Sequence, residues 1–188
     1  MRKARRPTKT RDVNVDVQAE KPKRPLDMER ARTRTLQRAV KLLAAKPRSV
    51  AELRERLLEK EWTNEEAVDA ALTKLKEYGY LNDERFAFGY ASYKVKQKPV
   101  GRQRLARDLQ MKQVDRQTSE QALELVFQET PEEELLERAI AKRIRLRGRP
   151  TTRQALKSLF DHLLRLGFSY DLVSAKVRAV SSAPEEEE

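Results

Sequence analysis

The stretch Ser49-Val-Ala-Glu-Leu-Arg-Glu-Arg-Leu-Leu58 decides the fold, because it joins a helix start to a single apolar face. Ser49, followed three residues later by Glu52, is a capping box, which satisfies free backbone amides at a helix N-terminus. Leu53 and Leu57 are four residues apart and therefore share one helix face. The stretch predicts a short amphipathic helix.

This apolar face recurs twice farther along the chain. Two leucines of the helix and one residue of the turn after it have an apolar counterpart 52 residues later and another 54 residues after that. The matching triples are Leu53, Leu105 and Leu159, then Leu57, Leu109 and Leu163, and finally Trp62, Val114 and Phe168. Self-similarity at a fixed period is typical of repeat proteins. Three shared triples favour a repeat over a chance alignment of Leu-rich helices.

Start and stop signals divide the rest of the body into helices of similar length. A second capping box runs from Thr63 to Glu66, and Ser169 is a cap for the last helix. Gly79 and Gly167 follow apolar-periodic segments, as residues that end helices do. We therefore predict an all-α fold of three tandem three-helix units, at residues 35–82, 83–130 and 131–182.

The two ends of the chain differ from this body. Residues 1–34 hold 12 Lys and Arg against 5 Asp and Glu, with almost no large apolar side chain. Such a segment buries too little surface to offset the entropy lost on ordering, so we predict a disordered basic arm. Residues 183–188 end in four Glu and are predicted to be an acidic, disordered tail.

The charge balance indicates a polyanionic partner. The formal net charge is +11, and the body remains positive without the arm. Nucleic acid is the usual partner of such a chain, although a soluble protein can also simply be basic. No apolar run approaches the roughly 18 residues of a membrane span, and no apolar segment follows the basic N-terminus. We expect a cytoplasmic monomer that does not enter a membrane.

The residues needed for catalysis are missing. The chain has no Cys, which excludes a thiolate nucleophile and a cysteine zinc site. His162 is its only His, and a structural role on its helix is the simpler interpretation. The five Gly are scattered, so no phosphate-binding loop is predicted. We expect no catalytic residue, cofactor or metal, and hence no enzyme.

The candidate binding residues are cations grouped in the second unit. Rows of Lys and Arg on neighbouring helices suit backbone phosphates, which position a protein without reading bases. A smaller group, in the third unit, has a second interpretation as a solvated helix end. The candidates are Lys94, Lys96, Lys98, Arg102, Arg104, Arg107 and Lys112 in the second unit, and Arg145 and Arg147 in the third. Tyr90 and Tyr93 suit base stacking, but packing with Phe86 is the simpler interpretation.

The stretch Tyr80-Leu-Asn-Asp-Glu-Arg-Phe-Ala87, with Gly101 opening a basic helix after it, resembles the RecX family of RecA regulators. Two flanking stretches are also similar to the family pattern, at residues 53–60 and 163–171. Glu61 and Gln113 stand where the first two units of the family often have a turn glycine. The first two turns are therefore expected to differ from the third, or the helices before them to be longer.

The resemblance implies an elongated, curved array that binds along the groove of the RecA–DNA filament. It implies partners in RecA and in single- and double-stranded DNA, and a role in controlling recombination, DNA repair and the SOS response. Two alternatives remain. One is a helix-turn-helix-like nucleic-acid-binding protein that acts without RecA, and the other is a helical scaffold that binds only proteins.

Overall fold

The computed structural model describes residues 27–182, and within that range it contains nine α-helices and no strand. The all-α prediction is confirmed. The helices are α1 Met28–Ala45, α2 Val50–Leu58, α3 Glu65–Glu77, α4 Asp83–Gln97, α5 Arg102–Met111, α6 Arg116–Glu129, α7 Glu132–Arg147, α8 Arg153–Arg165 and α9 Tyr170–Ser182. We call α1–α3, α4–α6 and α7–α9 the first, second and third units.

The first helix begins earlier than predicted. The Asp27 side chain accepts a hydrogen bond from Arg30 N and caps α1, so residues 28–34, which the sequence assigned to the arm, are helical. Apolar contacts explain the extension, because Ala31 is buried in this added part. The remainder of the predicted arm and the acidic tail lie outside the described residues.

The predicted helix caps are close to those observed. Ser49 Oγ accepts from Glu52 N at 3.1 Å, as the capping box requires. At α3 the cap is Asn64 and not Thr63, because the Asn64 side chain accepts from Ala67 N while the Thr63 hydroxyl bonds Thr35. For α2 and α3, local sequence therefore locates the helix start to within a residue, which it did not do for α1.

The buried apolar residues form two separate clusters. The first unit has its own core, in which Leu53 and Leu57 of α2 pack with Leu72 and Leu75 of α3. A second cluster runs without interruption through the second and third units and includes Phe168. The second and third units therefore share one core, and the first unit does not take part in it.

Three helices end with the same pair of backbone bonds. In each turn a residue in the left-handed region closes the helix, and the next amide bonds a carbonyl five residues back, which is the Schellman arrangement. The left-handed residues are Gly79 after α3 (φ +69°), Gln113 after α5 (φ +56°) and Gly167 after α8 (φ +89°). Gln113 thus keeps the family's turn without glycine, whereas the turn after α2 at Glu61 is built differently.

The first and second units meet through polar groups. Ser49 Oγ donates to Lys112 O at 2.6 Å, and Lys112 Nζ lies 2.5 Å from Glu52 Oε1. Val50 N donates to Asp83 Oδ1 at 2.8 Å. Burial raises the pKa of the Asp83 carboxyl, although this hydrogen bond acts in the opposite direction. The start of α2 is therefore tied to the end of α5 and the start of α4.

The second and third units meet backbone to backbone. Gly101 N donates to Leu166 O at 2.9 Å, and Gln103 N donates to Gly167 O at 3.0 Å. Arg102 N donates to Glu132 Oε1 at 2.8 Å, and burial raises the pKa of Glu132. A Cβ on Gly101 would lie 2.3 Å from the Gly167 carbonyl, so only glycine allows this approach.

Candidate nucleic-acid interface

The candidate cations of the second unit are held by a polar chain that links α4 to α5. Lys94 Nζ lies 5.1 Å above the ring of Tyr90, which stacks on Phe86. The Tyr90 hydroxyl is 3.5 Å from Asp108 Oδ2, and Arg104 Nε is 3.5 Å from the other oxygen of this carboxylate. Tyr90 is therefore a packing residue, and Lys94 and Arg104 lie at opposite ends of one connected face.

Asp108 lies in the sequence between the candidate cations Arg107 and Lys112, but its negative charge does not weaken the positive surface. Its side chain is largely buried between α4 and α5, where it serves Tyr90 and Arg104. A carboxylate in this position orients the cations next to it. Solvent above the face meets Lys and Arg instead.

Two candidates have carboxylate partners far away in the sequence. Arg102 pairs with Glu124 at 3.2 Å and lies over the Phe127 ring. Lys112 pairs with Glu52 of the first unit at 2.5 Å. Both cations connect elements of the fold, and no local sequence signal reveals partners 22 and 60 residues away.

Apart from Arg104, which pairs with Asp108, the other candidates have no carboxylate within ion-pair distance in residues 27–182. Their side chains are exposed, apart from Lys94, which is half-buried. They are Lys94, Lys96, Lys98 and Arg107 in the second unit, and Arg145 and Arg147 in the third. Arg107 Nε donates to Gln103 O at 3.2 Å, which directs its guanidinium along α5. Tyr93, which was expected to complete an apolar face, is exposed and accepts from Gln97.

A positive cavity of about 210 Å³ lies between the end of α7 and the start of α8. Arg143 and Arg147 contribute to its wall, and Arg143 donates to Ser158 Oγ at 3.2 Å. The pKa of His162 nearby is lowered, first by burial and then by the positive charges of Arg143, Arg165 and Arg147. The second cation group thus produces a positive potential inside the fold.

The described helices do not bring metal-ligating side chains together. No group of three or more His, Asp or Glu side chains in residues 27–182 is placed to hold a metal ion. No helix in that range is both long and apolar enough to cross a bilayer. The arrangement instead offers cations on the outside of two adjoining units, which is suited to binding a polyanion.

Comparison with known families identifies the first two units. Residues 36–75 match the family model described as the first three-helix domain of RecX, and residues 82–123 match its second three-helix domain. Both matches fall on the helices of the corresponding unit.

Curated relatives extend the match. The regulatory protein RecX of Streptomyces coelicolor is 31% identical over 170 residues, which cover 90% of this chain and 86% of the relative. The Bacillus velezensis protein of the same name is 33% identical over 139 residues, covering 73% of this chain. The chain spans about half the length of the Bacillus relatives, 52% and 56% of two of them.

Solved structures have the same fold. RecX from Lactobacillus salivarius superposes with a TM-score of 0.72 at 19% identity, and covers 82% of this chain and 99% of its own. A second structure, of a regulatory protein RecX, superposes with a TM-score of 0.69 at 21% identity, and covers 81% of this chain and 73% of its own. At these identities the likeness concerns the fold alone.

Proposed function

Since the chain belongs to the RecX family, we propose that it regulates the RecA recombinase by binding along the RecA–DNA filament. In this role it controls recombination, DNA repair and the SOS response. The relatives are named regulatory proteins, which supports a role without catalysis. The observation that carries the DNA contact is the set of exposed cations on α4 and α5 without carboxylate partners in the described helices.

The DNA contact is proposed to be electrostatic and independent of sequence. Lys96, Lys98 and Arg107 supply charges to backbone phosphates, with Lys94 at the inner edge of the face. Arg145 and Arg147 extend the contact to the third unit. Phosphates occur in single and double strands alike, so this surface binds both, and each contact releases counterions.

The three units are proposed to act as modules of one cytoplasmic monomer, at residues 35–82, 83–130 and 131–182. Arg102, Arg104 and Lys112 have a mainly architectural part in this scheme, because each has a carboxylate of the same chain within 3.5 Å. Their replacement is expected to disturb the fold before it disturbs binding.

A strand-exchange assay tests the proposal directly. The purified protein, titrated into a RecA reaction with circular single-stranded and linear duplex DNA, is expected to slow joint-molecule formation at or below one protein per RecA. A pull-down on RecA, with and without single-stranded DNA and a slowly hydrolysed nucleotide, checks the physical contact. Unchanged strand exchange in the presence of the folded protein contradicts the proposal.

A pair of charge variants tests the surface. Lys98→Gln with Arg107→Gln should weaken DNA binding and reduce the slope of log affinity against log salt by about 2, one unit for each lost phosphate contact. The matched control, Arg116→Gln with Arg178→Gln, removes the same charge from exposed positions on α6 and α9. An equal loss in both pairs means that only net charge matters and that this surface is not the interface.

The alternative is a nucleic-acid-binding protein that acts without RecA. It predicts tight DNA binding together with no retention on RecA and no effect on strand exchange. A helix that reads bases needs several side chains aimed at base edges. In α5 Gln103 and Arg107 are candidates for such contacts, but Arg107 bonds its own helix.

A further inference from the structure

An open groove between the first unit and the start of the second is assigned no role by the proposed function. It has a volume of about 560 Å³ and lies where the end of α1 and the start of α2 face the turn from α3 to α4. Its floor is apolar, from Leu43, Pro47 and Phe86. Its walls are two tyrosines, Tyr78 and Tyr80, and two arginines. The described lining contains no carboxylate.

The turn after α3 leaves Tyr80 in solvent. In a Schellman turn the residue after the left-handed one usually packs against the helix it closes. The other two such turns follow this rule, since Val114 is 5% exposed and Phe168 is fully buried. Tyr80 occupies the same place after α3 and is 72% exposed, because Leu81 closes the core in its stead.

The second tyrosine lies beside the first. Tyr78 ends α3, is 61% exposed, and has its ring centroid 6.4 Å from that of Tyr80 at 77°. The turn that carries both rings is fixed by backbone bonds from the amides of residues 78–81 to carbonyls of α3 and by a bond from Arg85 to Gly79 O. The fold thus presents two large aromatic rings to solvent on a fixed turn. Exposing this apolar surface to water is unfavourable for the folded protein.

The two arginines of the groove are available to an anion. Neither Arg48 nor Arg85 has a carboxylate within ion-pair distance among the described residues. Arg48 Nε is buried and has no hydrogen-bond partner there, although a buried donor normally has one. Lys74 Nζ adds a third charge, 5.9 Å from the Tyr78 ring. The described lining of the groove thus holds two positive charges and no negative one.

We propose that this groove binds an unpaired base of single-stranded DNA, which stacks on the Tyr80 ring beside Tyr78 while the flanking phosphates meet Arg48 and Arg85. Aromatic faces beside cations form the usual platform for single strands, since every base has a π-face. The bases of a duplex are stacked on one another and are not available. An acidic or apolar peptide is a weaker match, because stacking faces add nothing to the binding of a carboxylate.

The assignment goes beyond the proposed function, because it uses none of the candidate cations and needs no RecA. The phosphate-binding surface treats single and double strands alike. The groove adds a preference for unpaired DNA and locates that preference where the first unit meets the start of the second. The two proposals can therefore be refuted independently. A protein that does not regulate RecA can still prefer single-stranded DNA through the groove, and a protein without this preference can still regulate RecA.

The test compares three fluorescent probes by anisotropy, without RecA: a 20-nucleotide oligo-dT, the same strand with its central bases removed, and a duplex of equal length. Wild-type protein should bind oligo-dT at least about fivefold more tightly than the abasic strand, because each stacked base contributes a factor of about five to 150. Equal affinity for the two strands overturns the proposal, and this comparison needs no variant.

Variants locate the effect. Tyr78→Leu with Tyr80→Leu should lower the affinity for oligo-dT to that for the abasic strand and leave duplex binding unchanged. Tyr80→Phe retains the ring and should bind as wild type does. Tyr170→Leu is the matched control, since this tyrosine is 63% exposed at the start of α9, outside the groove. The assignment is overturned if the double variant retains the wild-type affinity for oligo-dT, even if that variant no longer binds RecA. It is also overturned if the double variant loses affinity equally for the single strand and the duplex.

Discussion

The two junctions of the molecule use one arrangement with different chemistry. At each, the start of a unit's second helix meets the end of the next unit's second helix, and an acidic residue at the start of the next unit accepts its first amide. Asp83 accepts from Val50 at the first junction, and Glu132 accepts from Arg102 at the second. The repeat seen in the apolar residues thus extends to the polar contacts between units.

The difference lies in what surrounds this shared bond. The first junction adds a serine hydroxyl and the Glu52–Lys112 ion pair, and the cores on its two sides are separate. The second adds glycine backbone in direct contact with backbone, and one core runs across it. We infer that the second and third units unfold together as one block, while the first unit can separate from it.

The largest expected effect is that of Gly101→Ala at the second junction. The new Cβ would lie 2.3 Å from three backbone atoms of Gly167 and Phe168, so the joint must open to admit it. We expect a loss of about 3 kcal/mol or more in the free energy of unfolding of the two-unit block. Hydrogen exchange should show faster exchange in α5 and α8 and unchanged protection in α3.

Gly89→Ala is the matched control for that substitution. Gly89 lies within α4 and has no atom within 4 Å of where a Cβ would stand. Alanine there should stabilise the protein by about 0.5 to 1 kcal/mol, because it restricts the unfolded chain and favours the helix. If Gly101→Ala unfolds at the same denaturant concentration as the wild type, the second junction is not the rigid one.

The second largest loss of stability is expected from Asp83→Ala at the first junction. This change leaves Val50 N without its acceptor in a partly buried place, at a cost of about 1 to 3 kcal/mol. Asp83→Asn keeps an oxygen there and removes a charge that burial disfavours, so its loss should be smaller. Urea unfolding of both variants measures the difference, and equal losses would mean that the charge itself holds the junction.

The difference in stability between the wild type and Asp83→Asn depends on pH, and its sign follows from the pKa of Asp83. The pKa of Asp83 is raised above its ordinary 3.8, so the folded protein holds this proton more tightly than the unfolded chain. The wild type therefore loses stability relative to Asp83→Asn as pH rises from about 3.8 through the raised pKa. A constant difference over that range contradicts the burial of this carboxyl.

Local rules predicted most of the fold, because its helices begin and end at residues whose effects are local. Ser49 and Ser169 cap as expected, and the leucines at 52- and 54-residue spacing are buried. Gln113 departed from the expected glycine without changing the turn, since tertiary contacts around Val114 hold it at φ +56°. Such a residue is costly in the left-handed region, and sequence alone does not show what offsets the cost.

The candidate site was less predictable, because it depends on partners distant in the sequence. The sequence shows a dense row of cations but not that Lys112 reaches Glu52 or that Arg102 reaches Glu124. Helical spacing favoured packing of Tyr93 with Phe86, whereas the Tyr93 side chain is 59% exposed on α4. Whether an aromatic side chain of an amphipathic helix is buried or exposed depends on where the neighbouring helix packs.

A smaller effect is expected from the ion pair at the first junction. The Glu52 and Lys112 side chains are 16% and 26% exposed, so solvent screens their attraction only in part. A double-mutant cycle of Glu52→Gln and Lys112→Met should give a coupling of about 0.5 to 1 kcal/mol that shrinks in high salt. Additive losses would show that the Ser49 and Asp83 bonds hold the junction without the pair.

The smallest effect concerns pH and distinguishes the two-unit block from the first unit, which has no histidine. The pKa of His162 is lowered from 6.5 by burial and by Arg143, Arg165 and Arg147. The unfolded chain then binds the proton more readily than the folded one. Stability is fully present above about pH 6.5 and is lost as pH falls through the lowered pKa, and this loss falls on the block alone.

His162 is the single histidine of the chain, so one imidazole NMR signal follows its titration without assignment. Its pKa should lie below 6.5 and move upward in Arg143→Gln, because that arginine makes the largest charge contribution. Oligonucleotide phosphates seated near Arg147 would neutralise the same field and raise the pKa as well. A pKa that DNA leaves unchanged, while DNA demonstrably binds, would restrict the interface to the second unit and leave the third unit's cations as a solvated helix end.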